Sequence, residues 1–177
     1  MNAMTNRAKS KGDSGEREAV EFLSNRVPDL LVPTPQRRLG LGRHEDTGDL
    51  DAFKYAIVQV KTFSDISTAI RSAVHGAREQ TARAQVPFGV GMAAVPRKQK
   101  SSLTRWVFCT LDWPGETLDV DFICKDAKTA LLVLECSQHK PMLASIERGT
   151  SEVVYLSWLP RWAADYELAL KEKGYGQ

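Results

Sequence analysis

Gly48-Asp49-Leu50-Asp51-Ala52-Phe53-Lys54-Tyr55-Ala56-Ile57-Val58-Gln59-Val60-Lys61 is the stretch on which the reading of this chain turns. Two apolar segments, around Leu50–Phe53 and Ala56–Thr62, flank Lys54-Tyr55 and are predicted to be strands joined by a tight turn. The second reads as a buried strand ending in lysine. An ammonium is rarely buried without a partner, because removing it from water is costly. Gln59 and Lys61 are separated by one residue, so they share a strand face, with Val60 opposite. Asp49 and Asp51 flank Leu50 and are expected to divide between the two faces, leaving only one beside Gln59 and Lys61. Asp49 is the expected partner.

An Asp, a Gln and a Lys converging across a hairpin carry a definite chemistry. The first two offer oxygen ligands to a hard cation such as Mg²⁺. A metal there would activate water and neutralise charge building on a phosphodiester, with the lysine orienting or deprotonating the nucleophile. The plain alternative is a strand edge with a snorkelling lysine and turn acids. Glu16 bears on the choice, because it opens the apolar stripe Val20, Leu23 and Val27 of a helix predicted over Gly15–Arg26. A carboxylate at the head of a core-facing stripe needs a cation, either a metal or Lys61. Asp13-Ser14-Gly15-Glu16 also fits a capping box, in which Glu16 reaches back to its own cap.

Outward from this centre, Met1–Gly12 reads as a mobile basic arm and Leu30–Val32 as a short strand. Pro33–Thr47, with prolines, glycines and three arginines, reads as a loop. A long helix is predicted over Ser67–Gln85, with Ile70, Ala73 and Ala77 on its apolar face. Phe88–Val95 and Trp106–Leu111 read as strands either side of the basic stretch Pro96–Arg105. Leu118–Ile123, Ala130–Cys136 and Val153–Tyr155 read as further strands, and Arg161–Lys173 as a terminal helix. The aromatic cluster Tyr155–Trp162 reads as core. This order indicates an α/β fold in which a central mixed sheet packs against helices.

The chain has 177 residues, suited to one domain with a sizeable core. Its core is expected at about residues 10–111, with 112–177 a C-terminal elaboration for dimerisation or specificity. No apolar run approaches the roughly 20 residues of a membrane span, and the polar N-terminus has no secretory h-region. Three unpatterned cysteines (Cys109, Cys124, Cys136) argue for a reducing compartment and against a zinc or disulfide framework. An intracellular, cytoplasmic protein is expected. His44, His75 and His139 lack ligand spacing. Charge is uneven: residues 71–105 carry seven Lys/Arg against one acid, and 112–152 carry eight Asp/Glu against four Lys/Arg. Such asymmetry suits one face to a polyanion.

Lys11-Gly12-Asp13-Ser14-Gly15-Glu16-Arg17, then Gly48-Asp49, then Gln59-Val60-Lys61, resembles the PD-(D/E)XK nuclease superfamily. Within it the likeness is to archaeal-type Holliday junction resolvases and their phage relatives, over roughly residues 10–100. The resemblance implies a restriction-endonuclease-like core and a homodimeric, Mg²⁺-dependent (or Mn²⁺-dependent) endonuclease acting on branched DNA. It casts Asp49 as main metal ligand, Glu16 as a supporting carboxylate, Gln59 at the second acidic position and Lys61 as the catalytic lysine. Gln80 resembles a glutamine that some members place near the site. Lys11, Arg37, Arg38, Arg43, Arg78, Arg97, Lys98 and Lys100 would contact DNA. Gln59 departs from the family pattern, which has Glu or Asp there. Either Glu16 or a nearby acid (Glu45, Asp46, Asp51) compensates, or the domain only binds DNA. A restriction-type or repair nuclease acting on linear duplex is a further alternative.

Overall fold

The computed structural model describes residues 3–37, 49–96, 103–115, 119–137, 140–147 and 152–175, with side chains from Ser14 onward. Among these, one mixed sheet of eight strands forms the centre of the molecule. Helix α1 (Ala3–Arg26) leads through a 3-10 turn (Pro28–Leu30) to β1 (Gln36–Arg37), β2 (Leu50–Phe53) and β3 (Ala56–Lys61). Helix α2 (Ile66–Ala84) follows, then β4 (Phe88–Val95), β5 (Arg105–Thr110) and β6 (Phe122–Cys124). Helix α3 (Ala127–Cys136), β7 (Leu143–Glu147), β8 (Val153–Ser157) and α4 (Leu159–Glu172) complete the order. In space the strands run β1-β2-β3-β4-β5-β8-β7-β6. The β2–β3 hairpin is antiparallel, β3 and β4 are parallel neighbours joined by α2, and β6 and β7 are parallel neighbours joined by α3. The α/β class with a mixed sheet flanked by helices is therefore as expected.

Strand alternation sorts the core into two layers. Leu50, Ala52, Val58, Val60, Val90 and Met92 point to the side covered by α1 (Ala19, Leu23) and α4 (Trp162, Tyr166). Ala93, Val95, Val107 and Cys109 point to the side covered by α2 (Ala69, Ile70, Ala73, Val74) and α3 (Ala130, Leu134). Trp162 lies in the core as expected, stacked on Tyr166 at 4.9 Å and on Phe108 at 5.4 Å between centroids. Burial in this cluster pushes the Tyr166 hydroxyl up to about 12. The C-terminal strands thus extend the same sheet through β5–β8, and α4 folds back over its first half.

Four expectations are corrected. The backbone is helical from Ala3, so residues 3–12 are not an irregular arm and Asp13–Glu16 lie inside α1 rather than forming its cap. The 3-10 turn Pro28–Leu30 precedes an extended stretch in place of a strand at Leu30–Val32, although the Val32 N–H still reaches the Ala52 carbonyl at 2.8 Å. Ala130–Cys136 belongs to helix α3, not a strand. Asp126 caps it, accepting the Thr129 N–H at 2.9 Å, and Ala and Leu favour the helix. Leu143–Glu147 is a strand that the reading of the sequence passed over.

Asp65 caps α2 in the same way, accepting the hydroxyl and the N–H of Thr68, both at 2.7 Å. These bonds, the hydroxyl's first, hold the Asp65 carboxyl below its usual range. The Thr129 N–H does the same for Asp126. Both caps act fully above the ordinary carboxylate pKa and are lost as pH falls through the lowered values.

Helix α2 sits close to β4 because Gly89 and Gly91 face it without side chains. A β-carbon at position 91 would lie 2.6 Å from Ala73 Cβ and 2.8 Å from Cys109 Sγ. Neither neighbour is the movable end of a long side chain, so the helix itself must shift. Gly91→Ala is expected to destabilise the fold by about 1–3 kcal/mol, read as a lower urea midpoint at unchanged slope.

Candidate active site

The hairpin does what the spacing promised. Asp49 precedes β2, and its N–H reaches the Val58 carbonyl at 3.0 Å, which fixes it against β3. Its Oδ2 then accepts from three donors of that strand. These are the Gln59 side-chain amide in a short bond, the Val60 N–H at 2.7 Å and the Lys61 ammonium at 3.4 Å. Gln59 and Lys61 lie on the α2 side of β3, opposite Val58 and Val60, as alternation requires. Lys61 is a quarter exposed and Asp49 a little less, so the pair stands at the edge of the core with one side toward solvent.

The two aspartates are not divided between faces. Residues two apart on a strand share a face, and Leu50 and Ala52 both enter the α1-side core. Asp51 is therefore on Asp49's side, one pleat further along and in register with Gln36. Position along the strand, not face, selects Asp49.

Glu16 pairs with an arginine from the neighbouring strand. Strand β1 pairs with β2 in the register Arg37↔Leu50, and Arg37 Nε donates to Glu16 Oε2 at 2.7 Å. The cation that offsets this carboxylate, among the described residues, is Arg37 rather than Lys61. Arg37 thereby ties β1 to α1. It lies in a stretch read as a loop, where its pairing had no periodic pattern to reveal it.

Gln80 lies on the buried face of α2 and is 5% exposed. Gln59 is 3% exposed. Each has an amide oxygen with no hydrogen-bond partner. Arg78, by contrast, is exposed and pairs with Glu152 at 3.2 Å. It lines a separate cavity of about 310 Å³ near Gly89, Thr110 and Asp112, toward the opposite ends of the central strands. Arg38, Arg43, Arg97, Lys98 and Lys100 lie outside the described residues, as do Glu45, Asp46 and the side chain of Lys11.

Beyond Lys61 the chain borders a second cavity, of about 390 Å³, between α1 and the ends of β3 and β4. Gly15, Glu18, Thr62, Phe63 and Thr104 line it. The Thr104 hydroxyl donates to Glu18, and the Phe63 ring is 47% exposed at the rim. Glu18 and Thr104 carry no motif that would have picked them out of the sequence. An aromatic placed directly after Lys61-Thr62 and before Ser64-Asp65 was the available sign for Phe63.

Of the oxygens here that a divalent cation could use, Asp49 Oδ2 already accepts from three donors, and the orphaned Gln59 oxygen lies on the Gly76 side, so the two would share a cation only after the Gln59 amide turned. One carboxylate and one neutral oxygen, with substrate phosphate and water completing the shell, is within the usual range for Mg²⁺. No group of three or more His, Cys, Asp or Glu side chains suited to a metal occurs among the described residues. Cys109 is fully buried, and burial pushes its thiol far up, away from the reactive thiolate.

The carboxylate of Asp49 also holds the hairpin together. Asp49→Ala would leave the Val60 N–H and the buried Gln59 amide without an acceptor. A loss of about 1–3 kcal/mol is expected, measured by denaturant unfolding, with Asp49→Asn losing less because it keeps one acceptor oxygen.

No helix among the described residues is long and apolar enough to cross a membrane. Comparison of the chain with known protein families, with curated proteins and with solved structures returns no match.

Proposed function

We propose that this protein is a divalent-metal-dependent DNA endonuclease with a restriction-endonuclease-like core, acting on branched DNA as a Holliday junction resolvase does. The observation that carries this reading is the convergence of Asp49, Gln59 and Lys61 on one edge of the β2–β3 hairpin. That juxtaposition of an acid with an x-Lys doublet on an adjacent strand is what the motif resemblance called for. The basic stretch of residues 97–105 supports a polyanionic substrate.

In this reading the Asp49 carboxylate and the Gln59 amide oxygen hold Mg²⁺ or Mn²⁺. Bound there, the metal supplies Lewis-acid polarisation of the phosphodiester and a water of lowered pKa. Lys61 presents its ammonium beside Asp49, where it orients the attacking water and offsets negative charge growing on the phosphoryl oxygens. Asp49, already held by the Val60 N–H, keeps its position without reorganisation. A resolvase cuts two strands symmetrically, so a two-fold dimer would present one site to each. The Gln59 amide adds no negative charge, which favours loose cation binding and makes a purely DNA-binding domain the competing reading.

The test is cleavage of a labelled four-way junction beside a matching linear duplex, in Mg²⁺ and in EDTA. Metal-dependent, paired nicking of the junction is expected. Lys61→Ala should lower the rate about 10²-fold or more while junction binding in EDTA stays within a few-fold of the parent. Binding without cutting in Mg²⁺ would leave the binding-domain reading in its place. Equal cutting of linear duplex would point to a restriction-type or repair nuclease.

A further inference from the structure

Gln59 on β3 and Gln80 on the buried face of α2 each hold an amide oxygen without a partner, and Gly76, one helical turn before Gln80, lies against Gln59. A β-carbon at position 76 would come within 3.0–3.1 Å of Gln59 Cγ, Cδ and Oε1, so Gly76 provides the space that the Gln59 amide occupies. Gln80 is one helical turn further along α2. Side chains on a helix lean toward its N-terminus, which carries Gln80 back over the Gly76 turn. Leaving one such oxygen unpaired costs stability. Two such oxygens, one on β3 and one on the helix packed against it, call for a cause.

We infer that Gln59 is a turning amide with two bonded states, and that Gln80 is the positioning residue that completes the second. This inference rests on the metal-site reading above and concerns how the neutral amide serves it. In the state described, Gln59 Nε2 donates to Asp49, and its oxygen faces Gly76 unpaired. A half-turn of the amide brings the oxygen to Asp49's side, where it ligates a divalent cation together with the carboxylate. The same half-turn brings the NH₂ group to the Gly76 side, where the orphaned Gln80 oxygen accepts from it. Both unsatisfied oxygens gain partners in one motion, and without a cation the amide returns to donate to Asp49. A glutamate at position 59 could not donate to Asp49 in the cation-free state. Glutamine therefore keeps the empty site bonded at some loss of cation affinity.

The experiment titrates Mg²⁺ into the full chain by calorimetry and follows the ¹⁵N-labelled glutamine side-chain amides by NMR. Assignments come from Gln59→Glu and Gln80→Met, each of which deletes one NH₂ pair. Mg²⁺ is expected to shift the Gln59 NH₂ pair strongly and the Gln80 pair with it. Gln80→Met and Gly76→Ala should each weaken Mg²⁺ about tenfold or more, while Gln59→Glu tightens it. An unmoved Gln59 pair in the parent at saturating Mg²⁺ overturns the inference, as does full Mg²⁺ affinity in Gln80→Met. Absence of Mg²⁺ binding by the parent overturns it too. The NMR arm needs only the parent chain to fold once assigned. Mg²⁺ binding with the amide shift but no cleavage of any DNA would remove the nuclease reading and leave this inference standing. Cleavage with an unmoved amide would do the reverse.

Discussion

One carboxylate oxygen, Asp49 Oδ2, gathers the Gln59 amide, the Val60 N–H and the Lys61 ammonium. Everything else at this edge of the sheet follows from that meeting. It explains how a lysine can end a buried strand, since the charge is paired within hydrogen-bonding reach and partly in water. It also locks the exit of β3 beside the first residues of the hairpin.

The remaining fold serves to hold that edge. Parallel pairing of β3 with β4 sets Gln59 level with Gly91 and Lys61 level with Ala93. Small residues at both β4 positions let α2 approach the sheet, and the same approach brings Gly76 over Gln59. On the other face α1 is fastened by Arg37 to the hairpin's outer neighbour, with Gly15 set against Thr62. The C-terminal third adds three strands to the sheet. Its last helix drives Trp162 and Tyr166 against Phe53, and Tyr166 against Phe88, behind β2 and β4. An Asp165 carboxylate ties Trp113 and Arg161 together at 2.7 and 2.6 Å, anchoring that helix.

What the sequence disclosed, and what it withheld, divides along physical lines. Period-two patterning and a two-residue turn were enough for β2 and β3, because both faces of that hairpin are strongly committed. The Asp49–Lys61 pair followed from the cost of burying an ammonium. Helix α3 was misread because Ala-Leu-Leu-Val-Leu is apolar throughout, and in so short a run periodicity cannot separate a helix from a buried strand. The capping pair Asp126–Thr129 was the local cue that decides it. Glu16 was correctly placed at the head of a core stripe, yet its partner Arg37 sits on a two-residue strand with no pattern of its own. Gly76 and the orphaned oxygens of Gln59 and Gln80 are properties of packing between elements, which no local pattern encodes.

In the proposed function the Asp49–Gln59–Lys61 group is where a phosphodiester would meet a divalent cation. A crystal of the chain grown with Mn²⁺ and an uncleavable four-way junction tests it most directly, through the metal's anomalous scattering. Mn²⁺ is expected between the Asp49 carboxylate and the Gln59 oxygen, with a junction phosphate beside Lys61. DNA seated on another face, with Mn²⁺ absent and Gln59 Nε2 still donating to Asp49, would contradict it.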